Sequence, residues 1–201
     1  MTFCHTTTLF LHSSCFLPRC IYLEKWEFTA KDGRQILVRT AQRGDASLLH
    51  EGFRSVVDEG LWLPTFSTSA HISDWIHWIE KTNHCREILL VAFLGEEYAG
   101  HITLQPEEWN ASQHVAKLGI IVRKECRHVG VGCALMRAGE EIGIKNDYSK
   151  IVLSTFEDNK AARDLYEKLG YRTVGFRKNH FNMPKGFIDE VLMEKELIAR
   201  I

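Results

Sequence analysis

The chain has 201 residues, enough for one domain with a full core, and its 45% apolar and 25% charged content is that of a globular protein. Its 25 basic and 26 acidic side chains are interspersed and give a formal net charge of -1, which argues against a dedicated nucleic-acid binder. No apolar run reaches the ~18 residues of a membrane span, so neither nucleic acid nor membrane is expected as a partner.

Residues 1–25 read as a poorly ordered N-terminal extension. No Lys or Arg precedes Arg19, so the basic start of a signal peptide is missing. Cys4, His5, His12, Cys15 and Cys20 match no zinc spacing, and no metal is expected. The six cysteines form no CxxC pair, which fits free thiols in a reducing, cytoplasmic setting.

Residues 26–201 read as one domain. Gln35 to Arg39 is a β-rich run after the turn at Lys31-Asp32-Gly33. Asp45 suits the N-cap of a helix whose apolar face is Ala46, Leu48, Leu49, Phe53, Val56 and Val57. After a loop from Pro64 to Ala70, Ser73 precedes a short amphipathic helix with Trp75, Ile76, Trp78 and Ile79. Ile88 to Leu94 and Tyr98 to Leu104 flank Gly95-Glu96-Glu97 as a hairpin. A polar loop from Pro106 to Ser112 leads to a third β-rich run, His114 to Val122. Gly130 to Ile144 follows as a helix, Lys150 to Thr155 as a strand, and Asn159 to Leu169 as a helix stopped by Gly170. Two strands, about Tyr171 to Lys178 and Phe187 to Glu194, close the chain. The order is that of a mixed α/β sheet with helices on its faces.

Arg127-His128-Val129-Gly130-Val131-Gly132 lies between a strand and a helix. There, successive backbone N–H groups and the helix N-terminus can receive an anion. The GxxxxGK[ST] pattern is absent, and Leu135 stands where GxGxxG needs its third glycine. Further on, Asn159 to Tyr171 spells NxxAxxLYxxLGY. LGIIV, RxxGxG and NxxAxxLYxxLGY, in that order, resemble the GNAT N-acetyltransferase family, most strongly over Lys117 to Tyr171.

The resemblance implies the GNAT acyl-CoA N-acyltransferase fold: a mixed, mostly antiparallel sheet whose central strands splay apart. It implies direct transfer of an acetyl group from acetyl-CoA to a primary amine of a small molecule, peptide or protein. Ile120, Ile121 and Val122 would offer backbone groups to the pantetheine arm. Arg127, His128, Val129, Gly130, Val131, Gly132 and Cys133 would cradle the pyrophosphate, mostly through N–H groups. Asn159 and Tyr166 would contact the cofactor, and Tyr166 would serve as general acid. Tyr166 as helix packing and Asn159 as an N-cap are the plainer alternatives.

The general base has no family match. The strand before the phosphate loop carries no acid, and Ser154 stands where some protein N-terminal acetyltransferases carry glutamate. His114 is the best substitute, His101 the next, and water-mediated deprotonation is the third route. For the acceptor, Trp62 and Phe66 are expected to form an apolar wall with Glu59 nearby, suiting a cationic amine, with Glu190 lining the far side. A homodimer through the exposed late strands is compatible with the family's habits. The rival function is a GNAT-like module that binds acetyl-CoA as a sensor without turnover.

Overall fold

The computed structural model describes residues 24–67, 69–82 and 86–197. Residues 1–23 lie outside them, and with them nearly all of the expected N-terminal extension and its cysteine and histidine cluster. Among the described residues, eight strands form one sheet in the order β1-β2-β3-β4-β5-β6-β8-β7. They are β1 (Lys25–Thr29), β2 (Gln35–Thr40), β3 (Ile88–Leu94), β4 (Glu97–Pro106), β5 (Val115–Val122), β6 (Lys150–Phe156), β7 (Arg172–Met183) and β8 (Gly186–Glu196). The α-helices of the described residues cover it: α1 (Ala46–Val57), α2 (Ile72–Thr82), α3 (Val131–Lys145) and α4 (Lys160–Lys168). Among the described residues, no helix is long and apolar enough to cross a membrane.

Strand β3 shows how the layers form. Its ILLVAFL sequence is apolar at every position, as a strand covered on both faces requires. Ile88, Leu90, Ala92 and Leu94 enter the larger core beside Leu135, Met136 and Ala138 of α3. Leu89 and Val91, on the opposite face, meet Leu49 of α1 and Trp75 and Ile79 of α2. Period-2 alternation thus assigns α1 and α2 to one face and α3 to the other. On α3, Val131, Leu135, Ala138 and Ile142 are all buried, as their helical spacing predicts. Each of the valine, leucine and isoleucine side chains removed from water contributes about 1.5–3 kcal/mol.

Three local expectations shift. Strand β1 is additional, because KWEFT buries only alternate residues partially and reads weakly as a strand. Asp45 does stand at the start of α1, but its carboxylate does not cap that helix. It accepts two bonds from Arg39 (2.7 and 2.8 Å) and one from the Gln42 N–H (2.7 Å), because a guanidinium is the stronger donor set. Helix α2 begins at Ile72, one residue before Ser73, and the Asp74 carboxylate accepts from the His71 N–H (2.7 Å).

All neighbouring strands are antiparallel except β5 and β6. That parallel pair is in register only over Val115–Lys117 and Lys150–Val152. Beyond these three rungs the strands diverge, and the sheet opens at its centre.

Candidate active site

The opening between β5 and β6 is the floor of a cavity of about 770 Å³. Its direction of access follows from the ladder. The Arg123 N–H donates to the Ala99 carbonyl (2.9 Å), so Ile121 turns its backbone groups toward β4. By alternation, the N–H and C=O of Ile120 and Val122 face the slot. Ile121 lines the cavity by its position, but its backbone groups serve β4. This corrects the expectation that all three residues present backbone to a ligand. The Val122 carbonyl accepts from Arg127 Nε (3.0 Å), leaving its N–H toward the opening.

The loop into α3 forms the next wall. His128 has φ 65 and Gly130 has φ 115, two left-handed residues flanking Val129. Such alternation turns successive N–H groups to one side, the geometry of an anion nest. A non-glycine residue at positive φ is uncommon and concentrates at functional sites. Helix α3 has no side-chain cap and no acid in its first turn, so Val131, Gly132 and Cys133 offer N–H groups that the helix cannot use. The Lys31 N–H donates to the Val129 carbonyl (2.8 Å), which pins the loop to the β1–β2 turn. A Cβ on Gly132 would stand 3.1 Å from Leu165 of α4, so this glycine admits the close approach of the two helices. Cys133 lines the cavity within that first turn, and Cys126 is buried outside it.

Helix α4 supplies the third wall. Asn159 Oδ1 accepts from the Ala162 N–H (3.2 Å) and so caps α4, while the residue also lines the cavity. Tyr166 lines the same cavity and is 6% exposed. Burial pushes its phenol up to about 12, so near neutral pH it holds its proton. Lys31, Arg137 and Lys168 add positive charge to the lining, against one carboxylate, Asp164.

The structure separates the other candidates from this centre. His114 precedes β5 at its paired end, where its carbonyl accepts from the Ser149 N–H (2.9 Å). At about 3.3 Å per residue it lies about 13 Å before Leu118, where the cavity begins, and it does not line the cavity. His101 sits in the α1–α2 core, with Nδ1 2.7 Å from the Tyr98 hydroxyl, and burial lowers its pKa to about 4. Glu59 is engaged by Arg127 (2.7 and 2.5 Å) and by Trp62 Nε1 (3.1 Å). Burial pushes its carboxyl up, but these hydrogen bonds prevail and leave its pKa below the ordinary value. Trp62 does line the cavity, with Leu63 and Pro64, whereas Phe66 is 58% exposed and does not. Glu190 is buried and paired with Arg177 (2.8 Å) and His180 (3.4 Å), away from the lining.

Ser154, which stands where some relatives carry glutamate, does line the cavity, and sequence reasoning missed its neighbours Thr155 and Phe156 and also Phe181. Phe156 and Phe181 meet at 4.7 Å between ring centres, tilted by 59°, on the far side of the opening. Their strands are legible as strands, but which residues face a gap depends on where β6 leaves β5. Among the described residues, no group of three or more His, Cys, Asp or Glu side chains is placed to hold a metal.

Residues 56–171, more than half of the chain, match the model of the acetyltransferase (GNAT) family. An L-amino acid N-acetyltransferase of Escherichia coli (strain K12) is 30% identical over 109 residues, 53% of this chain and 66% of that protein. An N-acetylaspartate synthetase of Danio rerio is 31% identical over 99 residues, 49% of this chain and 33% of the relative. The chain thus spans less than two thirds of the length of either curated relative. Among solved structures, a GNAT-family acetyltransferase from Streptococcus pneumoniae superposes with a TM-score of 0.74 at 24% identity, covering 80% of this chain and 99% of that one. A phosphinothricin acetyltransferase from Sinorhizobium meliloti in complex with acetyl-CoA gives 0.74 at 16% identity, covering 84% and 89%. These likenesses concern the fold.

Proposed function

Because the chain belongs to the acetyltransferase (GNAT) family, we propose that it transfers an acetyl group from acetyl-CoA directly to a primary amine. The observation that carries this reading is the three-rung β5–β6 pair, which opens the sheet onto an uncapped helix N-terminus with a buried phenol in the wall. The residues present fit the donor. A long polar arm finds the backbone groups of Ile120 and Val122 along the slot. A pyrophosphate finds the N–H groups of the loop from His128 to Cys133, with Lys31, Arg137 and Lys168 nearby. When bound, acetyl-CoA supplies an activated thioester carbonyl.

The chain's own groups then have defined tasks. The Val122 N–H is the donor available to an oxyanion at the slot. Tyr166 keeps its proton at Oη and can deliver it to a departing thiolate. The attacking amine must lose a proton. The lining offers one carboxylate, Asp164, and that residue lies exposed on α4. We therefore assign deprotonation to water in the open slot. His114 is too far along β5 for direct contact.

The named relatives act on amino acids or make an N-acetylated one, so free amino acids head the acceptors to be tried. The test is acetyl-CoA consumption across amino acids, peptide N-termini and simple amines, with CoA affinity measured in parallel. Acetylated product from any of these amines is expected. Tight CoA binding with no product from any amine would replace the enzyme reading with that of a non-catalytic acetyl-CoA sensor.

A further inference from the structure

Arg127 opens the RxxGxG motif and lines the cavity, but its side chain is bonded to Val122 and Glu59. Its two terminal nitrogens grip both oxygens of Glu59, and its Nε grips the Val122 carbonyl (3.0 Å). Three of its five N–H donors are engaged in this way. The Glu59 carboxylate, only 15% exposed, also accepts from the Trp62 indole. Trp62, Leu63 and Pro64 then line the cavity. Residues 58–67 contain no helix or strand to hold that wall in place. A two-pronged, largely buried guanidinium–carboxylate pair is one of the few polar contacts with enough geometric definition to do so.

We propose that Arg127 and Glu59 form a latch that fixes the wall at Trp62–Pro64 against the end of β5, making Arg127 a positioning residue and not a phosphate ligand. The inference rests on the acetyltransferase reading for what the wall faces, but the latch itself can be tested without it. One consequence concerns the acceptor. The latch consumes the Glu59 charge, so the wall meets an incoming amine with an indole, a leucine and a proline. A polycation finds no carboxylate there.

The experiment uses the full chain and two readouts. The first is solvent exchange of the Trp62 indole N–H by nitrogen-15 NMR, assigned with Trp62→Phe. The second is calorimetric affinity for CoA. Arg127→Met leaves the indole's acceptor in place, so faster exchange reports release of the wall. At least about a tenfold acceleration is expected, with an intermediate value for Arg127→Lys, which keeps the charge but loses the fork. Affinity for CoA should stay within about threefold in Arg127→Met and in Glu59→Gln. A loss of tenfold or more in Arg127→Met with none in Glu59→Gln would make Arg127 a phosphate ligand and overturn the proposal. Unchanged indole exchange in Arg127→Met would also overturn it. If the unmodified protein binds no CoA, the acetyltransferase reading fails, and indole exchange still decides the latch.

Discussion

Gly130 is the position where backbone shape and charge can be separated by two substitutions. Its φ of 115 is costly for any residue with a Cβ, about 1–3 kcal/mol of stability, in Gln and Glu alike. The space is otherwise open: an added Cβ would meet only Ile36 Cδ1, at 3.9 Å. Gly130→Gln and Gly130→Glu therefore share strain and volume and differ by one negative charge. A carboxylate about 6 Å from a phosphate repels it by about 3 kcal/mol at an effective dielectric of about 20. Two phosphates double that figure and salt roughly halves it, leaving about 3 kcal/mol. The expected result is CoA binding about 100-fold weaker for Gly130→Glu than for Gly130→Gln. Calorimetry at about 50 mM and about 500 mM salt is the assay, and the gap should shrink at the higher salt. Equal affinities for the two variants would refute the placement of the pyrophosphate at this loop.

Tyr166→Phe should lower kcat by about 100-fold while CoA affinity stays within about twofold; an unchanged kcat would reduce Tyr166 to packing. His101 has a folded pKa of about 4 against an ordinary value near 6.5, so the unfolded chain binds the proton more readily. Its contribution is fully present above about pH 6.5 and is lost as pH falls toward about 4, by about 3 kcal/mol in all. Denaturant unfolding at about pH 7 and about pH 4.5 should show most of this loss in the native chain and much less in His101→Gln, and an equal loss of stability in both chains would contradict it. Asn159→Ala removes the cap of α4 and should cost about 1 kcal/mol by the same measurement; no change would mean that the cap bond to Ala162 contributes nothing.

The parts of the fold that follow from periodicity were legible in the sequence. The apolar stripe on α3, the β3–β4 hairpin and the two closing strands each repeat one short-range rule over many residues. The loop into α3 was legible because its signal is local, two glycines between a strand and a helix. The roles of Arg127 and Glu59 were not. They stand 68 residues apart in sequence, and only packing shows that each satisfies the other. The same holds for Phe156 and Phe181, whose strands β6 and β7 lie on either side of β8. On the strand before the loop, His114 is the residue type that suits a base. Strand residues advance about 3.3 Å each, however, and His114 falls at the paired end. Residue type suggested the chemistry, and distance along the strand decided against it.

The three rungs joining β5 to β6 also bear on how the molecule comes apart. They are the seam between two half-sheets, β1 to β5 and β6 to β8, each well paired within itself. A crack that starts at the slot meets only those rungs before α3 must bear the load. A ligand lying in the slot as a surrogate strand stitches the halves along the length the protein leaves open. Such a ligand stabilises the folded state by mass action, so a melting curve taken with CoA becomes a direct gauge of whether the seam is filled.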